Sequence, residues 1–375
     1  MKIVIASDSF KGSMSSLDVA TAASAGVAEV YPDSEIVAVN VADGGEGTVE
    51  AIVDALGGEI VKVKVSDPLG REIETYYGIA GETAILEMAA ASGLPLLKVE
   101  ERNPWLTSTY GTGEIIMDAI ARGCRQFLVG IGGSATNDAG IGMLQAMGYR
   151  FYDSDDQLII SGNGGVLSRI ARIDDSLVSE AVKSSVFTVA CDVDTPFCGP
   201  EGAAPVFAPQ KGADAEMVKR LDEGMASFAK VIAEKYAIDI VPVAGAGAAG
   251  GMGGAFRAFL GATLKKGIDM VLDAIDFDTT IQDANLVVTG EGKVDFQTAK
   301  GKTAAGVLNR AKKQHIPVVA IGGCVEMCDS LVQMGFAGIY PILEEKVPLE
   351  VAMQREFAMS NVTKTVARIL SSGAC

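Results

Sequence analysis

Four acidic residues follow short apolar segments that are predicted to be β-strands, and they are the residues of this sequence best placed to do chemistry. Each comes directly after such a segment or after its first glycine: Asp8, Asp43, Asp192 and Glu291. A single acid in this position is commonly a helix cap or a turn former. Four of them, each beside glycines or a lysine, favour a site that holds a metal ion and a phosphate group.

These residue types are suited to phosphoryl transfer. Glycine-rich loops let backbone N–H groups approach phosphate oxygens, and helix N-termini add positive potential. One or two carboxylates hold Mg²⁺, and a lysine neutralises charge on the transferred group. A further carboxylate accepts the proton of the attacking hydroxyl. The sequence offers all of these parts, but it spreads them over many loops.

The common nucleotide-binding signatures are incomplete. Gly301-Lys302-Thr303 ends like a P-loop, but the earlier glycine of that motif is replaced by Phe296. The H-R-D and D-F-G motifs of protein kinases are absent as well. A site built from several separate loops is therefore expected instead of a single known motif.

One glycine pattern keeps a different enzyme class open. Gly245-x-Gly247-x-x-Gly250 matches the dinucleotide-binding fingerprint, follows an apolar run and precedes Asp269 at about the spacing of the ribose-binding acid. A dehydrogenase that uses NAD(P) on a small hydroxy acid is thus an alternative. In an alanine- and glycine-rich segment, helix packing explains the same glycines equally well, and no paired histidine for hydride transfer is visible.

Apolar strands alternate with glycine–acid loops and helices, which is typical of a parallel sheet. The predicted strands of this kind cover residues 2–6, 36–41, 127–131, 186–191, 286–289 and 317–321. Between them, residues 61–65 and 72–79 alternate in polarity around a turn, which predicts an antiparallel pair. Because ligands bind beyond the carboxyl ends of strands in open parallel sheets, the loops named above are expected to form the site.

The length of 375 residues favours two domains. The strand pattern at both ends of the chain predicts one α/β domain made of residues 1–65 and 285–375. The intervening residues 66–284 are predicted to form an inserted α/β domain.

Composition excludes several functions. Hydrophobic residues make up 49% of the chain, which also holds 44 glycines, as expected for a packed α/β enzyme. A formal charge of −17 argues against binding to nucleic acid or to a membrane surface. Six scattered cysteines and one histidine make a zinc site improbable and favour free thiols in a reducing compartment. With no signal peptide before the first strand, a cytoplasmic location is expected.

Taken together, nine segments of the chain resemble motifs of the bacterial type-1 glycerate kinases. They occur in order and with ordinary spacing: KIVIASDSFKGS (2–13), VADGGEGT (41–48), EMAAASGL (87–94), STYGTGE (108–114), GIGGSATND (130–138), ACDV (190–193), PQKG (209–212), GAGAAGGMG (245–253) and TGEG (289–292). Small departures occur at Ser7, Ala208 and Asp194-Thr195, and none of them removes an acid, a lysine or a loop glycine.

The resemblance implies phosphorylation of D-glycerate with ATP and Mg²⁺. The product in the family is commonly 2-phosphoglycerate, and 3-phosphoglycerate remains the alternative. The implied fold has a flavodoxin-like parallel-sheet domain and a second mixed α/β domain that is restriction-endonuclease-like in the family. The site is expected in the cleft between the two domains. A non-catalytic protein that binds sugar acids is a third reading, but unpaired carboxylates beside an anionic ligand would weaken its binding.

Residue type and position suggest roles for individual side chains. Asp192 is the first choice for general base, with Asp8 and Lys11 near the reacting hydroxyl and phosphate, and Asp43 and Glu46 are the metal candidates. The residues expected to contact the nucleotide or another anion are Gly132, Gly133, Ser134, Asn137, Asp138, Lys211, Gly290, Glu291, Gly292 and Lys302.

Overall fold

A computed structural model describes residues 1–343, 345 and 347–373. Within these residues the chain forms thirteen strands. They are β1 (Lys2–Ser7), β2 (Glu35–Asn40), β3 (Glu59–Ser66), β4 (Glu72–Ala80), β5 (Thr83–Glu87), β6 (Gln126–Gly130), β7 (Arg150–Tyr152), β8 (Arg172–Asp174), β9 (Val186–Ala190), β10 (Thr263–Lys265), β11 (Leu286–Val294), β12 (Val318–Val325) and β13 (Gly338–Pro341).

Fifteen α-helices occur in the same residues. They are α1 (Ser16–Val30), α2 (Thr48–Leu56), α3 (Ala89–Ser92), α4 (Tyr110–Ala121), α5 (Ile141–Ala146), α6 (Glu180–Lys183), α7 (Ala203–Phe207), α8 (Ala215–Tyr236), α9 (Ala248–Leu260), α10 (Gly267–Ala274), α11 (Phe277–Thr280), α12 (Thr303–Lys313), α13 (Asp329–Met334), α14 (Leu349–Ala352) and α15 (Arg355–Ser371). Short 3₁₀ helices cover Leu94–Leu96, Val99–Glu101, Gly164–Arg169, Pro209–Lys211 and Thr298–Lys300. No helix in the described ranges has both the length and the apolar character needed to cross a bilayer.

The chain divides into two compact units. The first comprises Met1–Leu56 and the chain from Ile268 onwards, and the second comprises Gly57–Gly267. The sequence placed these boundaries at 65/66 and 284/285. The structure differs because β3 pairs along its whole length with β4 and so joins the second unit. At the other boundary, Ile268 and Leu272 of α10 pack in the core of the first unit.

The first unit contains a five-stranded parallel sheet in the order β13-β12-β11-β1-β2. Within the unit this is the order 2-1-3-4-5, which is the flavodoxin-like arrangement. Side chains alternate between the two faces of the central strand β1, as the period of a strand requires. Ile3 and Ile5 pack against α1 and α15, whereas Val4 and Ala6 join the core that includes α10 and α12.

The strand order reverses direction between β1 and β11, which are neighbours in the sheet. The helix that follows β1, α1, covers one face of the sheet. The helix that follows β11, α12, covers the opposite face. The chain therefore leaves the carboxyl ends of these two strands in opposite directions and opens a crevice there, which is the usual ligand position in such sheets.

The second unit contains a six-stranded mixed sheet in the order β10-β9-β6-β5-β4-β3. Strands β10, β9, β6 and β5 are parallel, and β4 and β3 extend the sheet in antiparallel fashion. Phe127 and Phe187 stack at a centroid distance of 4.7 Å in its core. The predicted α/β class, with one parallel sheet and a second, mixed sheet, is thus confirmed.

Candidate active site

Asp8 directly follows β1 and is almost completely buried, with 6% of its surface exposed. One carboxylate oxygen accepts a hydrogen bond from the Ser9 N–H at 2.7 Å, and the other accepts one from the Thr303 hydroxyl at 2.9 Å. Burial raises the pKa of Asp8, and the nearby charge of Asp43 raises it further, while the bond from Thr303 opposes the shift. The structure therefore holds this carboxylate rigidly in a poorly solvated place.

Glu291 occupies the adjacent strand at the same edge of the sheet. Ser7 pairs with Gly290 across β1 and β11, and the Asp8 N–H donates to the Gly290 carbonyl at 3.0 Å. Burial raises the pKa of Glu291 to about 7, although the Thr298 hydroxyl donates to its carboxylate and Lys302 lies close enough to lower the pKa. Two buried acids thus stand side by side at the crevice of the first unit.

The start of α12 and the turn after β1 bring cations and a hydroxyl to these acids. Lys302 is the N-cap residue of α12, and Thr303, the first residue of that helix, donates its hydroxyl to Asp8. Lys11 lies three residues after Asp8, and its positive charge lowers the pKa of that carboxyl. The sequence-predicted residues Asp8, Lys11, Glu291 and Lys302 are therefore brought together in the structure.

A cavity of about 370 Å³ opens at this point, wholly within the first unit. Its charged lining residues are Asp8, Lys11, Asp43, Glu291, Lys293 and Lys302. Another part of the wall is apolar and includes Phe10, Leu349 and Met353. A cavity with convergent charges on one side and an apolar wall on the other matches the usual chemistry of a ligand site.

The two predicted metal candidates differ in position. Asp43 is half-buried, lines the cavity and accepts a hydrogen bond from the Gly45 N–H at 3.2 Å. Glu46 is exposed in the same loop and is not among the residues that line the cavity. No group of three or more acidic, histidine or cysteine side chains suited to one metal ion occurs in the described ranges.

The donor set nevertheless fits a magnesium ion. Mg²⁺ commonly takes one or two protein carboxylates and keeps several waters, so a cluster of three is not required. Burial, and after it the nearby charge of Asp43, raises the pKa of Asp8, and a divalent cation bound there would oppose both effects.

The loop after β6 in the second unit contains most of the other predicted residues. Gly132 and Gly133 are exposed, and their N–H groups donate no hydrogen bond within the part of the chain described. Lys211 is buried, and its Nζ donates to Ser134 Oγ and to the Thr136 carbonyl, both at 2.7 Å. Burial lowers the pKa of Lys211 to about 7, while Asp138 opposes the shift. The loop thus combines backbone N–H groups that donate no hydrogen bond to the described residues with the buried amine of Lys211.

Asp138 and Asn137 are fully buried in the same loop. The Asp138 carboxylate accepts hydrogen bonds from the Thr109 N–H (2.9 Å) and hydroxyl (2.7 Å) and from the N–H groups of Gly140 (3.1 Å) and Gly142 (3.2 Å). In this geometry Asp138 ties the loop to the start of α4. By contrast, the Asn137 side-chain oxygen has no hydrogen-bond partner.

Asp192 lies two residues beyond β9 in the second unit and is exposed. It accepts a hydrogen bond from the Gly267 N–H, the first residue of α10, at 2.9 Å. It is not among the residues that line the cavity of the first unit.

Sequence reasoning missed several residues around the cavity. Lys293 lines it and forms ion pairs with Asp295 at 3.3 Å and Glu326 at 2.9 Å. Its position directly after Gly292 was a usable signal. Thr303 was visible in the Gly-Lys-Thr tripeptide, but nothing in the sequence indicated that Thr298 would contact Glu291.

The glycine pattern at 245–250 lacks the structural context of a dinucleotide site. No strand precedes it, because residues 237–247 form turns and irregular structure. A Cβ on Gly250 would lie 2.1 Å from the Thr136 carbonyl oxygen, and one on Gly247 would lie 2.1 Å from that of Pro196. These glycines are needed for close packing, so the dehydrogenase alternative is not favoured.

Comparisons with known proteins identify relatives over almost the whole chain. The model of the glycerate kinase family matches residues 3–372. A glycerate kinase from Bacillus subtilis (strain 168) is 45% identical over 99% of this chain and 97% of its own length. A glycerate 2-kinase from Escherichia coli (strain K12) is 44% identical over 98% of both chains.

A solved structure agrees in fold. The crystal structure of a proposed glycerate kinase 2 from Salmonella typhimurium LT2 superposes with a TM-score of 0.91 and 43% sequence identity, covering 100% of this chain and 99% of that one. Since the family model matches nearly every residue and the relatives share more than two-fifths of their sequence over their full lengths, the chain belongs to the glycerate kinase family.

Proposed function

We propose that this protein transfers the γ-phosphoryl group of ATP to D-glycerate and forms 2-phosphoglycerate. The observation that carries the proposal is the cavity of the first unit, where Asp8 and Glu291 are buried beside Lys11 and Lys302. Acids for a metal ion and cations for phosphate oxygens are the parts that phosphoryl transfer requires. The name of the Escherichia coli relative, a glycerate 2-kinase, supports the 2-hydroxyl as acceptor.

We assign the nucleotide phosphates and Mg²⁺ to this cavity. Asp8 and Asp43 are the proposed metal ligands, with Glu46 as a further candidate from the same loop as Asp43. The metal supplies charge neutralisation on the phosphate oxygens when it is bound. Lys11 and Lys302 are proposed to contact the phosphates, together with the backbone of Gly290–Gly292. The apolar wall suits a purine base.

The loop of the second unit is the proposed second anion contact. Gly132, Gly133 and Ser134 present backbone and side-chain donors, and Lys211 adds a positive charge when an anion binds beside it. Asn137 is proposed to accept a hydrogen bond from a substrate hydroxyl through its unpartnered side-chain oxygen. Asp138 supports the loop through its four hydrogen bonds and is not proposed to touch the ligand.

Asp192 is the proposed general base. Its exposed carboxylate stands past the carboxyl end of β9 and is oriented by the Gly267 N–H, so it is both accessible and fixed. Asp8 is the alternative base, since a carboxyl whose pKa is raised by burial accepts a proton more readily near neutral pH.

The reaction itself is tested by its product. The full chain incubated with D-glycerate, ATP and Mg²⁺ is expected to give 2-phosphoglycerate, identified by ³¹P and ¹H NMR. Omission of the metal with excess EDTA should abolish turnover. Formation of 3-phosphoglycerate would overturn the assigned hydroxyl, and absence of any phosphoglycerate would overturn the proposed activity. Parallel incubation with NAD(P) and small hydroxy acids should give no reduced cofactor.

Substitution of Gly132 tests whether the loop after β6 in the second unit binds a ligand. A Cβ at this position would meet no atom within 4 Å, and its φ lies outside the left-handed region, so the fold gives no reason for glycine there. Gly132→Ala is therefore expected to keep the melting temperature while weakening the binding of ATP or D-glycerate by roughly ten- to a hundredfold, because the methyl group obstructs an anion at the loop.

Ser154→Thr, which adds a methyl group to an exposed turn of the same unit, is the matched control and should bind both substrates normally. Isothermal titration calorimetry measures both variants. If Gly132→Ala binds both substrates with wild-type affinity, the loop is not part of the site.

Asp192→Asn and Asp8→Asn distinguish the two candidate bases. Loss of the base should slow turnover by roughly 10²- to 10⁴-fold with little change in nucleotide affinity. Asp192→Asn is expected to show this pattern, whereas Asp8→Asn is expected to raise the Mg²⁺ concentration needed for activity. Steady-state kinetics over a Mg²⁺ titration supplies both readouts. If Asp192→Asn turns over within a few-fold of wild type, Asp192 is not the base.

A further inference from the structure

Arg102 is an arginine without a partner. Its Nε is buried and makes no hydrogen bond, and no hydrogen bond or ion pair of its guanidinium occurs in the described part of the chain. The side chain as a whole is half-buried. A desolvated arginine nitrogen with no acceptor is costly, and the guanidinium fork is the side chain best matched to carboxylate and phosphate oxygens. The position therefore calls for an anion.

The neighbouring acid, Glu101, already has hydrogen-bond partners. Glu101 accepts a hydrogen bond from Arg71 at 2.7 Å and another from the Lys98 N–H at 3.0 Å. Arg71 also bonds Asp67 at 2.6 Å. Glu101 and Asp67 are thus bonded to Arg71 and not to Arg102.

The backbone places Arg102 beside the lysine of the second unit. Gly212 has a φ of +96°, and a Cβ there would lie 2.2 Å from the Arg102 carbonyl oxygen and 3.2 Å from its Cβ. Only glycine allows this close approach. Because Gly212 directly follows Lys211, the two cationic residues belong to backbone segments that are in contact.

The same region contains buried polar atoms that lack partners. Thr136 and Asn137 are fully buried, and neither Thr136 Oγ1 nor Asn137 Oδ1 has a hydrogen-bond partner. The Thr136 carbonyl accepts a hydrogen bond from Lys211, so the backbone that carries these two side chains is in contact with the lysine. Buried polar atoms without partners in a native structure indicate a missing ligand or water.

We propose that Arg102 and Lys211 together form an oxyanion-binding site in the second unit, with Arg102 providing the fixed positive charge. The proposal deepens the proposed function, since the expected oxyanion is the carboxylate of the acceptor or a phosphate of the nucleotide. Both are planar or tetrahedral groups of negatively charged oxygens that a guanidinium binds with two parallel hydrogen bonds.

Inorganic phosphate, D-glycerate and Mg·ATP are the probes, each titrated into the full-length chain by calorimetry. Trp105, the single tryptophan of the sequence, lies three residues after Arg102 and serves as a local fluorescence reporter. Arg102→Met should fold normally because the Arg102 side chain makes no hydrogen bond or ion pair in the described part of the chain. Arg122→Met removes the same charge from the same unit, at an arginine already paired with Asp118 at 2.8 Å, and is the matched control.

Arg102→Met is expected to weaken the binding of inorganic phosphate and of at least one substrate by roughly ten- to a hundredfold. Arg102→Lys should have intermediate affinity, and Arg122→Met should bind within threefold of wild type. Weaker binding of D-glycerate identifies the carboxylate as the bound group, and weaker binding of Mg·ATP identifies the phosphate. Binding of all three probes within threefold of wild type, failure of the wild type to bind any of them, or an equal loss in Arg122→Met would overturn the site.

The phosphate titration needs no turnover. If the wild-type chain made no phosphoglycerate but still bound phosphate through Arg102, the proposed function would fail while the oxyanion site would stand.

Discussion

The first unit depends on one electrostatic constraint, which is that two carboxylates are buried next to each other on adjacent parallel strands, Asp8 just after β1 and Glu291 within β11. Asp8 and Glu291 are 6% and 5% exposed, and no arginine or lysine forms an ion pair with either of them in the described ranges. Burial of acids in this way favours their protonated forms unless a cation approaches. The hydroxyls of Thr303 and Thr298 orient the two carboxylates without neutralising them. A cation that approached these two acids would therefore favour their charged forms.

The second unit contains a buried cationic side chain where the first unit contains buried acids. Lys211 is buried in a loop of open amides, and burial lowers its pKa to about 7. An anion that binds beside it would favour the charged ammonium, just as a cation beside Glu291 would favour the carboxylate. Each unit thus holds an ionisable group whose charged form a ligand of opposite sign would stabilise.

The sequence predicted the strands well wherever apolar runs were flanked by glycine–acid loops. Residues 2–6, 186–191 and 286–289 all lie on observed strands or extend one residue past them, and the antiparallel pair of β3 and β4 is present. The boundaries of the two units lie elsewhere than predicted because β3 pairs with β4 and α10 packs in the core of the first unit. Both are tertiary contacts, which local sequence patterns do not encode. The sequence predicted both Asp8 and Glu291 just past strand ends, and this is wrong for Glu291 because β11 continues to Val294. That the two residues would be neighbours follows from the strand order, which local patterns do not give. Arg102 and Thr298 carried no motif at all. Only the structure reveals them, Arg102 by its buried nitrogen without a partner and Thr298 by its hydrogen bond to Glu291.

The pKa of the Glu291 carboxyl tests this account most directly. It can be followed by ¹³C NMR of the glutamate-labelled protein, with Glu291→Gln to assign the resonance. We expect the pKa of Glu291 to be about 7, against an ordinary value of 4.5. We expect this pKa to fall when Mg²⁺ and nucleotide are added. Because the folded state then binds this proton more tightly than the unfolded chain, the contribution of Glu291 to stability should decrease as the pH rises from about 4.5 to 7. A midpoint close to 4.5 that ignores both ligands would contradict the claim that a buried acid pair defines the site.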